Sequence, residues 1–416
     1  MYKIILNLNV AEKFRNTINE YIDFSIDHEH NRIDSRTRNN EKTSSWASIT
    51  AIMDRVEDLV IYLNEKELNT GRWERSAFDF YEFMEQAGVL IECIDLLFII
   101  YDVEVKETEH IFKHKKINEI QSRTKKFDLN YFKYVRSISS VHPEETDRHR
   151  CFQSANFETS PYAVWNGGIY ALDKRCNGDI NLITYNNETE DFVVIKSIFI
   201  NEIFNFIKHK YYSLNYLTKE VKKIYNSKIQ SLREKKLKKI SAFENYNDYL
   251  VYLASEAKSR DKNFYADISD VIYVFNCKIT NPENTIKFEK YKNALKFAVK
   301  YKHRQLQNMY FDNRCFHDSL LCELLGGSMF FEKKKYHNIL EKLSYLKEEL
   351  EDYNFVLERY EEIVDFFQKY IFITKEDIYS LDVKELYVLS RIALYFYSLE
   401  YKNCISCTIP LNDDYR

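Results

Sequence analysis

Arg136, Ser137 and His142 lie in the stretch YFKYVRSISSVHPEETDRHR, residues 131–150, where an arginine is followed after five intervening residues by a histidine and then Pro143. Histidine titrates near neutrality and can take or give a proton. A guanidinium stays charged and presents a planar fork of donors matched to phosphate oxygens. Together they suit phosphodiester cleavage, and when the 2′-hydroxyl of RNA is the nucleophile no metal is required. Spacing alone carries little weight: in 416 residues with 10 His, roughly one arginine and histidine at this separation arise by chance. The other reading of the pair is two ordinary helix-end residues.

On an unbroken helix, positions six apart point about 120° away from each other, so a shared target requires a bend. Pro143 supplies a reason for one. It disfavours the α conformation at His142 and is itself comfortable at a first helical position. Glu144 and Glu145 then occupy a first turn, where acids are favoured. His142 is therefore expected at a break between helical segments, free to turn toward Arg136. Thr146, Arg148 and His149 follow within two turns and are candidates to line a phosphate-binding groove; with Arg150, they equally suit a solvated helix face. Glu57, on an earlier helix with Asp54 and Asp58, is placed either to orient an arginine or histidine or to pair with Arg55 or a nearby lysine.

The elements that must position these residues are mostly helices. Gly (7) and Pro (4) are scarce while Tyr (33) and Phe (29) are abundant, which removes turn punctuation and favours long helices. In WASITAIMDRVEDLVIYLN (46–64), Ile49, Ile52, Met53, Val56, Val60 and Leu63 recur at spacings of three and four behind a cap at Ser44 or Ser45. Residues 76–100 are apolar on more than one side and predict a central, buried helix. A third helix starts near Asp128 and carries Leu129, Phe132 and Val135 inward. DINLITY and FVVIKSIFI around the polar NNETED read as a β-hairpin inserted in the helical domain. Residues 217–240 form a very basic helix, with a domain boundary inside or just after it. Ile339, Leu343, Leu346, Leu350, Tyr353, Leu357, Tyr360, Val364 and Phe367 keep a heptad repeat that serves packing within the chain or dimerisation.

A net charge of −4 points to no strongly charged partner, so a nucleic-acid footprint must be local. Two basic stretches, 113–126 and 222–239, are candidates to guide RNA or are solvated helix faces. The aromatics of KFEKYKNALKFAVKYKHR (287–304) read better as core than as a stacking platform. Eight cysteines are scattered without a secretion signal, and Cys404 and Cys407 alone form a CxxC, so no metal or cofactor is expected. Cys315, His317 and Cys322 have no nameable orienting partner for a protease. No Walker loop, GxGxxG or HExxH is present. A cytoplasmic protein with no membrane span is expected.

The helical pair SITAIMDRVEDLVIYLN and SAFDFYEFMEQAGVLIECIDLLF, followed by YFKYVRSISSVHP, resembles the HEPN superfamily, particularly forms found in bacterial toxin and abortive-infection proteins. The resemblance covers roughly residues 41–217. It implies a HEPN-like helical bundle with the hairpin as an embellishment, after an N-terminal segment (1–40) and before a helical C-terminal domain (218–416) that senses a trigger, restrains activity or dimerises. The family motif is an arginine, a polar residue, several variable positions and a histidine; Ser137 stands where active members more often carry Asn, Asp or His. The resemblance implies metal-independent RNA cleavage in a homodimer. Arg136 would hold the scissile phosphate, Ser137 would hydrogen-bond in the site, and His142 would transfer the proton. The implied partners are RNA and a neutralising protein or phage-derived trigger. The competing reading from the residues is a noncatalytic α-helical module that binds RNA or protein.

Overall fold

Amphipathic periodicity with little glycine or proline to interrupt it yields a chain whose described residues are mostly helical. The computed structural model describes residues 2–21, 29–30, 43–44, 46–69, 73–105, 111–113, 126–139, 149–153, 159–165, 174–185, 193–310, 324, 360 and 364–401. These fall into two units, one within Met1–Tyr21 and His28–Tyr225 and one within Asn226–Arg416.

The first unit opens with β1 (Tyr2–Lys3) and α1 (Asn9–Asn19). A short antiparallel pair, β2 (Glu29–His30) and β3 (Thr43–Ser44), precedes α2 (Trp46–Glu65). β4 (Glu67–Leu68) then pairs back to β1 and leads into α3 (Trp73–Ile100). Helix α2 buries Ile49, Met53, Val56, Leu59, Val60 and Leu63, the stripe its spacing predicts with Leu59 added and Ile52 at its margin. The long α3 is the pillar of the unit. Phe80, Phe83, Met84, Leu90, Ile94 and Phe98 are all buried along it, and α2, α4 (Phe127–Ser139), β5 (Thr159–Trp165) and α5 (Ile200–Tyr212) pack around it.

The predicted hairpin is present as β6 (Ile180–Tyr185) and β7 (Val193–Ile198), in register from Ile180 opposite Ile198 to Tyr185 opposite Val193. The structure adds β5 on the other side of β6, making an antiparallel order β5-β6-β7 with β6 in the centre. Ile180 to Thr184 are all buried, as a central strand requires. Pro161 sits in β5, at the edge, where a missing N–H is tolerated. At the entry to β6, a side chain on Gly178 would meet the backbone of Ile198 at 2.6 Å, so that position needs glycine.

Helix α6 (Leu214–Glu234) carries the boundary between the units, which falls at Tyr225 and Asn226. The second unit continues with α7 (Tyr246–Arg260), α8 (Lys262–Phe275), α9 (Pro282–Asn308), α10 (Val364–Phe367), α11 (Lys375–Ser380) and α12 (Val383–Tyr401). Helix α9 starts on Asn281, whose side chain accepts from the Glu283 and Asn284 N–H groups, with Pro282 in the first turn. Phe288, Tyr291, Leu295 and Val299 on α9 are buried, which makes the 287–304 aromatics core. Tyr360, Val364 and Phe367 from the expected heptad run are buried in the same cluster; the other heptad positions lie outside the described residues. Among the described residues no helix is long and apolar enough to cross a membrane.

Candidate functional site

Helix α4 buries Phe132, Val135 and Ile138 and ends within four residues of Arg136, which places a cation in its last turn, at the negative end of the helix dipole. The Arg136 side chain crosses α3 at Gly88. A Cβ there would lie 2.7 Å from the arginine Nε and 2.8 Å from its Cδ and Cζ, so the missing side chain makes the channel in which the guanidinium rests. Glu85 and Glu92 stand three residues before and four after Gly88, on the same face of α3.

Glu85 Oε2 accepts from Arg136 Nε at 3.2 Å and from Nη2 at 2.9 Å, and Glu92 Oε1 accepts from Nη1 at 2.5 Å. These bonds use three of the five guanidinium N–H groups and leave two for a further acceptor. The side chain of Arg136 is 24% exposed, against 36% for Glu85 and 54% for Glu92, so the cluster is open to solvent on the Glu92 side. Burial works against the charge on Arg136, but the hydrogen bonds it donates to Glu85 and Glu92, with their charges, outweigh it and raise its pKa above the ordinary value. The result is a permanently charged fork, fixed in direction, whose carboxylates also lend the site one net negative charge.

The other residues named from the sequence divide by place. Ser137 follows Arg136 in the same turn and is half-buried. His142, Thr146 and Arg148 lie outside the described residues. His149 packs edge-on to Tyr134, with ring centroids 6.1 Å apart. Tyr134 and Arg136 point about 160° apart around α4, so this contact lies on the side of the helix away from the Glu85 and Glu92 clamp. Arg150 is exposed. Glu57 and Asp54 hold Arg15 of α1 instead, at 2.6 Å and 2.8 Å. Glu57, expected to orient an arginine or histidine or to pair with Arg55 or a nearby lysine, meets the arginine Arg15 because α1 packs on α2.

Glu85, Gly88 and Glu92 were not singled out by sequence reasoning. A usable signal was present: glycine inside a long helix costs about 1 kcal/mol relative to alanine. At Gly88 it is flanked by acids three and four residues away on one face, which marks a crossing point for a cation.

Among the described residues, no group of three or more His, Cys, Asp or Glu side chains is arranged to hold a metal ion. Cys315, His317, Cys322, Cys404 and Cys407 lie outside the described residues, as does most of the basic stretch 113–126. In the second basic stretch, Lys222 pairs with Glu20 at 3.3 Å and Lys223 with Glu220 at 2.8 Å. No family model, curated protein or solved structure matches the chain.

Proposed function

We propose that the chain is a metal-independent endoribonuclease of HEPN type that acts as a toxin or antiphage effector, with Arg136 and His142 as its reacting pair. The observation that carries this reading is the state of Arg136: braced by Glu85 and Glu92 over Gly88, yet a quarter exposed and with two N–H donors left over. A guanidinium so fixed needs little reorganisation when negative charge develops on a phosphate in front of it.

In this reaction His142 removes the proton from an RNA 2′-hydroxyl as its oxygen attacks the adjacent phosphorus. Arg136 stabilises the charge building on the non-bridging oxygens. The bond from phosphorus to the 5′-oxygen breaks, and the protonated histidine, or that of a second protomer, returns a proton to the leaving oxygen. The products are a 2′,3′-cyclic phosphate and a 5′-hydroxyl, with no net oxidation or reduction. Ser137 contributes a hydroxyl beside the arginine, and Thr146 and Arg148 are the proposed contacts to flanking RNA; His149, expected with them, packs on Tyr134 on the other side of α4. A homodimer would bring two such motifs together, with a neutralising protein or a phage-derived trigger controlling the C-terminal half.

One observation favours a second reading. Two carboxylates against one cation repel an approaching phosphate, which suits a noncatalytic helical module in which Arg136 only ties α4 to α3. The test is induction of wild type and of Arg136→Ala/His142→Ala to equal soluble levels in bacteria, with growth followed and total RNA resolved for new fragments. Growth arrest and fragments in the wild type that vanish in the double variant support the nuclease. Equal toxicity and equal fragmentation overturn it.

A further inference from the structure

The second unit carries a groove of about 750 Å³ where the C-terminal ends of α6 and α9 meet, lined by Gln230, Arg233, Lys236, Gln307, Asn308 and Tyr310 together with Glu234. Two converging helix ends would ordinarily present bare carbonyls and repel an anion. Here several of those carbonyls are taken. Arg260, wholly buried, donates to Leu306 O at 3.0 Å and to Lys235 O at 2.9 Å. Gln307 donates to Arg233 O at 2.8 Å and accepts from Leu237 N–H at 2.7 Å, while Arg233 Nε donates to Asn308 O at 2.7 Å.

That lattice fixes Arg233 through its Nε and leaves the outer edge of an exposed guanidinium facing the groove beside the exposed Lys236. The carboxylate of Glu234 is engaged by Gln230 Nε2 at 2.9 Å. Next to the cations stands Tyr310, 59% exposed. It is presented there by Met309, which ends α9 in the left-handed region at φ 48°, a conformation that strains a non-glycine residue and so needs surroundings that enforce it. Met309 is 1% exposed, and its buried side chain is what holds the turn.

We propose that this groove binds a single-stranded polynucleotide, RNA above all. The Arg233 fork and Lys236 would take successive phosphates, Tyr310 would stack on a base, and Asn308 would offer its amide to a base edge or sugar. The exposed Lys238 and Lys239 continue the positive charge beyond the groove. The inference does not rest on cleavage at Arg136: a chain that binds RNA here and cuts nothing would keep it intact.

The test uses the full chain carrying Arg136→Ala/His142→Ala, so that bound RNA survives, titrated against a fluorescein-labelled 12-nucleotide RNA and followed by anisotropy between 50 and 200 mM salt. Adding Arg233→Glu/Lys236→Glu is expected to weaken binding at least tenfold and to flatten the dependence of log affinity on log salt by about 1.4, the value for two lost phosphate contacts on a single strand. Tyr310→Ala is expected to weaken binding about fivefold or more while Tyr310→Phe keeps it. Because Arg233 also holds Asn308, Lys236→Glu and Tyr310→Ala alone serve as variants that spare the lattice, with thermal melting as the control. A DNA oligonucleotide of the same sequence separates RNA preference from general strand binding. Affinity unchanged in Lys236→Glu and Tyr310→Ala, or displacement of nothing but an acidic peptide, would overturn the proposal.

Discussion

Arg136 and Arg260 are two arginines held in opposite ways. Arg260, in the second unit, is wholly buried and spends its Nη donors on backbone carbonyls at the ends of two helices, with Glu256 Oε2 3.5 Å from its Nε. Arg136, in the first unit, is a quarter exposed, and its three bonds all go to carboxylates on one neighbouring helix. Arg260 makes two hydrogen bonds, both to backbone carbonyls, and its buried Nε lies near a carboxylate without a hydrogen bond to it. Arg136 is instead braced by two side chains and stays partly exposed. The contrast is one of burial and of partner: backbone carbonyls inside the second unit, carboxylates at a partly exposed place in the first.

The comparison breaks most visibly at Arg260. Arg260→Met removes buried donors to Leu306 O and Lys235 O, while Glu256 keeps Lys235 as its partner, so chemical denaturation should show the second unit destabilised by about 2 kcal/mol or more, with the first unit's transition unmoved. An unchanged transition would mean that Arg260 is no more structural than Arg136.

Gly88→Ala sharpens the other side. The added methyl strikes the end of a flexible side chain, which can swing away, while alanine improves the helix by up to about 1 kcal/mol. The expected outcome is a protein as stable as wild type or more so, whose RNA cleavage rate is reduced about 100-fold because the guanidinium has lost its seat. Retained cleavage would show that the channel over Gly88 does not set the geometry.

A smaller effect is expected at Glu92, the more exposed of the two carboxylates. Glu92→Gln keeps a hydrogen-bond acceptor and removes one negative charge from the path of the phosphate. RNA affinity should rise a fewfold in low salt and converge with wild type at high salt. No change at any ionic strength would mean that Glu92 is not in that path.

The smallest effect is one of pH, and it places one histidine in each unit side by side. Burial lowers the pKa of His209, helped by Lys210 and opposed by Asp128; burial and Arg260 lower that of His303, which hydrogen-bonds Tyr249. In both cases the unfolded chain takes up a proton first, so their contribution is intact above about pH 6.5 and is lost as the pH falls toward the folded-state pKa. Melting at pH 7.5 and pH 5.5 should show the loss, and His303→Gln should shrink it in the second unit alone.

Much of the frame was legible because burial in a helix leaves a period. Ile49, Met53, Val56, Val60 and Leu63 on α2, and Phe288, Tyr291, Leu295 and Val299 on α9, are spaced as their burial demands. The hairpin was legible from two β-prone runs about a polar turn. Strand β5 was not, since Pro161 argues against a strand unless an edge is known to be waiting for it. Helix α1 was not, since its burial depends on packing against α2, whose Asp54 and Glu57 hold its Arg15. Arg136 could be chosen from its neighbours in sequence, but its clamp could not. Glu85, Gly88 and Glu92 lie about fifty residues away, and only the crossing of α4 over α3 brings them to it.

The most direct measurement compares purified wild type with Arg136→Gln for two quantities in one preparation, the rate of RNA cleavage and the midpoint of thermal unfolding. A partly exposed ion pair contributes roughly 1 kcal/mol or less, whereas a guanidinium that stabilises a reacting phosphate is worth about 100-fold or more in rate. The expected result is therefore cleavage nearly abolished with the first unit's midpoint moved by no more than a few degrees. Cleavage at the wild-type rate, or a large loss of stability in a chain that never cut RNA, would contradict the assignment of Arg136 as the working arginine.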